Sequence, residues 1–303
     1  MLSFRTRTRD VNGEKQELRS RYQTPLIFIL DSVCGGSPLH YPFKMHKMKF
    51  LKLFILFLFV VNLQGQHAGK VIYQYYKDPV AAQAALDQLK KNKPEVYAIH
   101  GTAYEEMDQV MRQLRFELAF KDQRARWTYL ESVPPEDANK AMNHRLAVIM
   151  ATQNVTDYYL DLKNWERMYR TNLEGALVNV KQKFENFDWE ITGRTKQFGK
   201  YLLHEAKTID AYKGSSGKVI NKEVYAWYAP DIPLPYGPAG YDGLPGLILD
   251  VRFGADQNIG FQASTITIEN ADVKIMKPKA IAEMSEEDFE TRVEERSPRR
   301  KKN

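Results

Sequence analysis

Short runs in which apolar and polar residues alternate dominate the second half of the chain. This period of two is typical of strands that bury one face. The first run, Lys70–Lys77, mixes β-branched and aromatic residues and is also predicted to be a strand. The other predicted strands are Arg115–Lys121, Arg126–Leu130, Asp157–Leu162, Glu166–Thr171, Leu177–Lys181, Trp189–Thr192, Lys200–Thr208, Lys222–Tyr228, Leu247–Phe253 and Ser264–Glu269. Runs this short, joined by turns, predict a predominantly antiparallel β fold with helical insertions, and hence the α+β class. By analogy with periplasmic lipoprotein carriers we expect a curved or half-open sheet.

Helical patterns interrupt these runs. Asp78 followed by Pro79 predicts an N-cap and a first helical residue. Ser285 with Asp288 three residues later predicts a short helix near the end of the chain. Two further helices are predicted at Ala103–Leu114 and Glu136–Ala151.

A leader is predicted before the β-rich part. Lys49 and Lys52 precede the apolar run Leu53–Val61, which is the layout of a signal peptide and is shorter than the about 20 residues of a membrane span. We expect cleavage near Gly65 or Gln66. The predicted organisation is therefore an upstream extension at 1–47 that arises from a mis-assigned start, a signal peptide at 48–66, a β-rich domain at 67–278, and a charged helical or disordered tail at 279–303.

The basic charge of the chain lies mainly in this leader. The 303 residues contain 44 Lys and Arg against 38 Asp and Glu, a net charge of +6. Residues 1–66 hold ten of the basic and four of the acidic side chains, so the remainder is neutral. The balance predicts no nucleic-acid binding, since such binding depends on neutralising phosphates. The single cysteine, Cys34, also lies in the leader, so the domain has no thiol chemistry.

One loop stands apart from the rest of the sequence. Residues 224–251 read VYAWYAPDIPLPYGPAGYDGLPGLILDV, an aromatic strand followed by a Pro/Gly-rich connection and an apolar strand. Prolines restrict φ and glycines allow positive φ, so the connection is predicted to be rigid. The predicted structural residues of this loop are Pro235, Gly237, Pro238, Gly240, Gly243, Pro245 and Gly246.

This segment resembles the signature of the GLPGLI family, secreted proteins of Bacteroidetes-type bacteria whose function is unknown. The resemblance lies in the sequences AWYAPDIPLPYGPAGY, GLPGLI and LDV. The resemblance extends more weakly over residues 69–278. It implies an exported protein with a β-rich fold and brings no reaction with it. The helical stretch at 78–114 is longer than that pattern needs and reads as an insertion.

The same loop supplies the candidate binding residues. Aromatic side chains with polar tips suit partner proteins or amphiphilic ligands. The candidates are Tyr225, Trp227, Tyr228, Asp231, Tyr236, Tyr241 and Leu244. The alternative is that these rings pack in the core and the loop only closes one end of the sheet.

Catalysis and metal binding have weaker support. Asp231, Asp242 and Asp250 could supply an acid/base pair, but Asp242-Gly243 is also a common turn. His67 could chelate a metal if cleavage makes it the first residue. We therefore expect an exported periplasmic or secreted protein, non-catalytic, without a cofactor, that binds an envelope protein or an amphiphilic ligand through the loop. The alternatives are a hydrolase or its accessory domain acting on glycans or peptides, and a metal-handling protein.

Overall fold

The computed structural model describes residues 68–213, 218–268 and 273–296. Within these ranges the chain forms one sheet of 12 strands and four helices. The strands are β1 (Gly69–Lys77), β2 (Arg115–Lys121), β3 (Arg124–Leu130), β4 (Val155–Asp161), β5 (Glu166–Leu173), β6 (Ala176–Gln182), β7 (Glu190–Phe198), β8 (Tyr201–Lys213), β9 (Val219–Ala229), β10 (Leu247–Phe253), β11 (Ile259–Ile268) and β12 (Ala282–Ser285). The helices are α1 (Pro79–Asn92), α2 (Pro94–Gln113), α3 (Ala138–Thr152) and α4 (Glu286–Arg296).

Two meanders build this sheet. The strand order is β12-β6-β5-β4-β3-β2-β1-β11-β10-β9-β8-β7, so β2 to β6 form one meander and β7 to β11 the other. Strand β1 joins them by pairing with β2 on one side and β11 on the other. Every pair is antiparallel except β12 with β6. The prediction of a predominantly antiparallel β fold with helical insertions is confirmed.

The sheet is bent. Strands β5 and β8 are eight places apart in the strand order. At about 4.8 Å between neighbouring strands, a flat sheet would separate them by about 38 Å. Instead, Tyr169 of β5 and Tyr212 of β8 line the same cavity. The two meanders therefore face each other across the inner face of the sheet.

The helix ends follow their sequence signals. The Asp78 carboxylate accepts a hydrogen bond from the Ala81 N–H at 2.8 Å, which caps α1 as predicted. Asp137 caps α3 in the same way through the Lys140 N–H. Helix α2 begins at Pro94, well before the predicted start at Ala103.

The C-terminal segment contributes one strand and one helix up to residue 296. Ser285 accepts a hydrogen bond from the Asp288 N–H, which is the predicted cap of α4. Strand β12 pairs with β6, and Phe289 of α4 is 1 % exposed and packs against Tyr169. Through this strand pairing and the burial of Phe289, the segment up to residue 296 packs against the sheet.

The predictions for the leader lie outside the described residues. These are the extension at 1–47, the signal peptide at 48–66, Cys34 and His67. In the part of the chain that the structure describes, no helix has both the length and the apolar character needed to cross a bilayer.

Candidate ligand-binding site

The Pro/Gly-rich loop, residues 230–246, folds inward under the sheet. Its backbone groups pair with one another and with β10: the Gly243 N–H donates to the Pro235 carbonyl at 3.0 Å, and the Ile248 N–H donates to the Tyr236 carbonyl at 2.9 Å. Residues Pro238–Gly240 form a single 3₁₀ turn. These hydrogen bonds fix the loop, because a buried backbone group without a partner costs free energy.

Two glycines allow the backbone of the loop to follow this path. Gly243 has a φ of 88°, in the left-handed region that favours glycine. At Gly246 a Cβ atom would lie 2.3 Å from the carbonyl oxygen of Ala229, a backbone atom that has no room to retreat. The other predicted structural residues divide between buried (Gly237, Pro238), half-buried (Pro235, Gly240) and exposed (Pro245) positions.

Most of the predicted binding residues are inside the protein. Tyr236 is 5 % exposed, and Tyr241 and Leu244 are each 2 % exposed. The Tyr236 ring stacks on Phe120 with 5.7 Å between centroids. Burial raises the pKa of Tyr236, and the negative charges of Asp242 and Asp161 raise it further, so the phenol stays protonated.

The aromatic residues of β9 divide between the two faces of the sheet. Tyr228 is buried on the inner face. Trp227 lies on the outer face beneath Lys196, whose Nζ is 4.3 Å from the ring centroid, and beneath Arg194. Tyr225 is half-buried on that same outer face, next to Lys207. Alternation along the strand separates these rings, so they do not form one surface.

Asp242 anchors the loop to the opposite meander. Its carboxylate accepts two hydrogen bonds from the Arg167 guanidinium of β5, at 2.7 and 2.8 Å. Both side chains are buried. The Arg167 guanidinium also donates to the Glu185 carbonyl, and the Trp189 indole N–H donates to the Asp242 carbonyl at 2.8 Å. This set of contacts fastens the loop across the bend of the sheet.

The three aspartates considered for acid/base chemistry do not share a site. Asp231 is exposed. Asp242 is held by Arg167. Asp250 is fully buried and pairs with Lys196 and Arg252, on the face that carries Trp227. The turn interpretation of Asp242-Gly243 fits the positive φ of the glycine.

A cavity of about 80 Å³ lies between the two meanders, next to the loop. A water molecule needs about 10 to 15 Å³ on this scale, so the space suits several waters or a small ligand. Aromatic residues are the largest class in its wall. The rings that line it are those of Tyr75, Trp127, Tyr158, Tyr169, Tyr212, Tyr241, Phe253, Phe261 and Phe289.

A small polar group interrupts the aromatic wall. Tyr241 of the loop donates a hydrogen bond to Asp210 at 2.7 Å, and Asp210 lies 3.6 Å from the Lys222 ammonium. That ammonium lies over the Phe253 ring, with its Nζ 4.5 Å from the centroid. One carboxylate and one ammonium thus join Thr152, Gln153 and Thr171 as polar residues of the wall, which gives the cavity a polar side.

Trp127 contributes an unsatisfied donor. Its side chain is 2 % exposed, it lines the cavity, and its indole Nε1–H has no hydrogen-bond partner among the described residues. Buried polar groups in native proteins are nearly always hydrogen-bonded. An acceptor brought in by a ligand would satisfy this donor.

Sequence reasoning missed the residues that define this site. Trp127, Arg167, Asp210 and Lys222 come from β3, β5, β8 and β9. Asp210 and Lys222 are partners across the β8–β9 pair, whereas Trp127 lines the same cavity, and Arg167 reaches the loop, only because the sheet bends. No local spacing signals that approach. Within the described residues, no group of three or more His, Cys, Asp or Glu side chains is placed to hold a metal ion.

One family model and several solved structures are similar to this chain. A family model described as "Protein of unknown function (Porph_ging)" matches residues 215–250. None of the curated proteins matches the chain. Two solved structures of PNGF-II, in space groups P21 and C2, are each 12 % identical to this chain with a TM-score of 0.42. The alignments cover 76 % and 75 % of this chain but 33 % and 32 % of theirs, so the chain spans about a third of their length.

Proposed function

We propose that the protein is an exported, non-catalytic binding protein that holds a small amphiphilic molecule in the aromatic cavity. The observation that carries this proposal is Trp127, which lines that cavity and whose buried indole N–H has no hydrogen-bond partner among the described residues. The aromatic residues of the wall can pack against the apolar part of a ligand, and the unsatisfied donor can bind an oxygen acceptor on the same ligand. A molecule that has both is an amphiphile.

The Pro/Gly-rich loop forms part of the cavity wall. Tyr241 and Ala239 line the cavity, and Tyr241 also holds Asp210. In this proposal the loop is a wall of the binding site, and its buried aromatic residues are not offered to a protein partner. Of the seven candidate binding residues, only Asp231 is exposed and only Tyr225 is half-buried, which leaves little contact area for an outward interface.

Export and family membership belong to the same proposal. The signal-peptide pattern at 48–66 supports export to the periplasm or beyond. The short match to the Porph_ging model overlaps the GLPGLI signature and supports that name. A bent, half-open sheet around a cavity is also the architecture of periplasmic lipoprotein carriers, a likeness at the level of fold alone.

Decanoate, a single-chain amphiphile, provides the test. Calorimetric titration should show saturable binding near one molecule per chain. Val155 lines the cavity, so Val155→Phe should fill part of it and weaken binding about tenfold or more. Val219→Phe is the matched control, because Val219 is 58 % exposed on β9.

Equal binding by both variants would place decanoate elsewhere and contradict the proposal. Absence of saturable binding by the parent protein would do the same. Thermal unfolding of each variant separates lost binding from lost folding.

A further inference from the structure

A second, smaller cavity lies beside the aromatic cavity. Its volume is about 20 Å³, against about 80 Å³ for the larger one. Trp127, Tyr158 and Tyr241 line both cavities, so the two spaces are neighbours. Because a water molecule needs about 10 to 15 Å³, the small cavity suits one group of that size. A phosphate or a sugar does not fit into it.

Two residues that line the small cavity each have an unsatisfied donor. The indole Nε1–H of Trp127 and the guanidinium Nε–H of Arg167 are buried and have no hydrogen-bond partner among the described residues. The two residues are 2 % and 7 % exposed. Asp242 and the Glu185 carbonyl occupy the other guanidinium nitrogens of Arg167. A group that fills the small cavity should therefore be a hydrogen-bond acceptor.

The charges around the two cavities are balanced. The charged residues in the wall of the small cavity are Arg167 and Asp242, which pair at 2.7 Å. Those in the wall of the larger cavity are Lys222 and Asp210, which pair at 3.6 Å. Two carboxylates outside the walls also have cationic partners, namely Asp161 and Asp108. Within the described residues the walls thus have no surplus positive charge to stabilise a buried anion, so the acceptor should be uncharged.

The small cavity is the inner one of the two. All the residues that line it are buried except Tyr158 and Gly240, which are half-buried. The larger cavity reaches the surface, since Met150 and Ile259 in its wall are 57 % and 38 % exposed. A ligand that fills both cavities would have its polar group inside and its chain directed toward the surface.

We infer that the ligand is an uncharged amphiphile, such as an ester or an amide, whose carbonyl oxygen occupies the small cavity. The two lone pairs of this oxygen match the two donors, Trp127 Nε1–H and Arg167 Nε–H. The hydrocarbon chain would pack against the aromatic residues of the larger cavity. This inference rests on the proposed function and narrows the class of its ligand.

Three probes with a ten-carbon chain and different head groups test the inference by calorimetric titration at pH 7. Methyl decanoate should bind about tenfold more tightly than decanoate, because a buried carboxylate costs more free energy than a buried ester. Trp127→Phe should weaken binding of methyl decanoate about tenfold, since it keeps an aromatic ring and removes the N–H. The third probe, 1-chlorodecane, is only a weak acceptor and should bind the parent and Trp127→Phe equally.

The matched control is Trp227→Phe, the same change on the outer face of the sheet. It should bind all three probes as the parent does. Arg167→Lys is a second variant, which keeps a cation beside Asp242 and removes the Nε–H. It should weaken binding of methyl decanoate more than that of 1-chlorodecane.

Three results would overturn the inference. Decanoate could bind as tightly as its methyl ester, which would indicate a charged head group. Methyl decanoate could bind the parent, Trp127→Phe and Arg167→Lys equally, which would indicate that the small cavity keeps a water molecule. These two results leave the proposed function intact, whereas failure of all three probes to bind the parent would overturn both.

Discussion

The inner and outer faces of the sheet both carry aromatic rings and charged groups, but they satisfy them differently. On the outer face, the buried carboxylates of Glu205, Asp250 and Asp157 each have cationic partners, and Trp227 is covered by Arg194 and Lys196. On the inner face, Trp127 lines a cavity and its N–H has no partner among the described residues. Buried polar atoms without a hydrogen-bond partner in the described part of the chain also occur on the outer face, at Asp157, Arg170, Asp250 and Arg252, so the combination of such an atom with a cavity marks the candidate ligand site.

The largest loss of stability is expected when the buried ion pair of the inner face is broken. Arg167→Ala would leave the Asp242 carboxylate buried without its partner, which should cost about 3 to 5 kcal/mol of unfolding free energy in denaturant titrations. The double variant Arg167→Met/Asp242→Leu should recover much of this loss, because it leaves no unpaired charge. A loss below about 1 kcal/mol for Arg167→Ala would mean that the pair does not anchor the loop.

Leu244→Ala tests the loop itself. The side chain is 2 % exposed, so its truncation should leave a cavity and cost about 2 to 5 kcal/mol of unfolding free energy. Leu202→Ala, at a residue that is 47 % exposed on β8, serves as the control and should cost much less. Equal stability of the two variants would show that the loop does not pack as described.

The glycines of the loop should show a smaller effect. Gly243→Ala places a side chain at positive φ and should cost about 1 kcal/mol. Gly246→Ala should cost more, since its new Cβ would meet the Ala229 carbonyl, a backbone atom. Urea midpoints rank the two variants, and the reverse order would contradict the close approach at Gly246.

The stability that the outer face contributes through Asp161 should decrease in acid. Burial alone would raise the pKa of Asp161, but hydrogen bonds from Arg124 and Asn164 outweigh it and lower the pKa below the ordinary 3.8. A lowered pKa gives stability that is present above 3.8 and is lost as the pH falls through the folded-state value. Asp161→Asn should therefore be less stable than the parent at neutral pH, and the difference should shrink below pH 3.8. A difference that stays constant with pH would argue against this pairing.

Much of the fold could be predicted because its signals are local. β-Branched and aromatic residues predicted β1, alternation predicted most later strands, and Asp78 and Ser285 marked two helix starts. The early start of α2 at Pro94 was missed because this first stretch of the helix contains Gly101, a weak helix former. The structure explains why residue 101 is a glycine, since a Cβ there would lie 2.9 Å from the Tyr97 ring.

The site could not be predicted in the same way. The loop was recognised from its prolines and glycines, but the direction in which it folds depends on Arg167, which lies 75 residues before Asp242. The cavity likewise depends on the bend that brings Tyr169 and Tyr212 together. Such contacts across the sheet leave no periodic trace in the sequence.

The indole N–H resonances of Trp127 and Trp227 provide the most direct test of the central claim, that the inner cavity binds an amphiphile. In ¹⁵N-labelled protein titrated with decanoate, the Trp127 signal should move downfield and saturate, because its N–H gains an acceptor. The Trp227 signal should stay in place, since that ring lies under Lys196 on the other face. A Trp127 signal that does not move at saturating decanoate, or a larger shift for Trp227, would contradict the account.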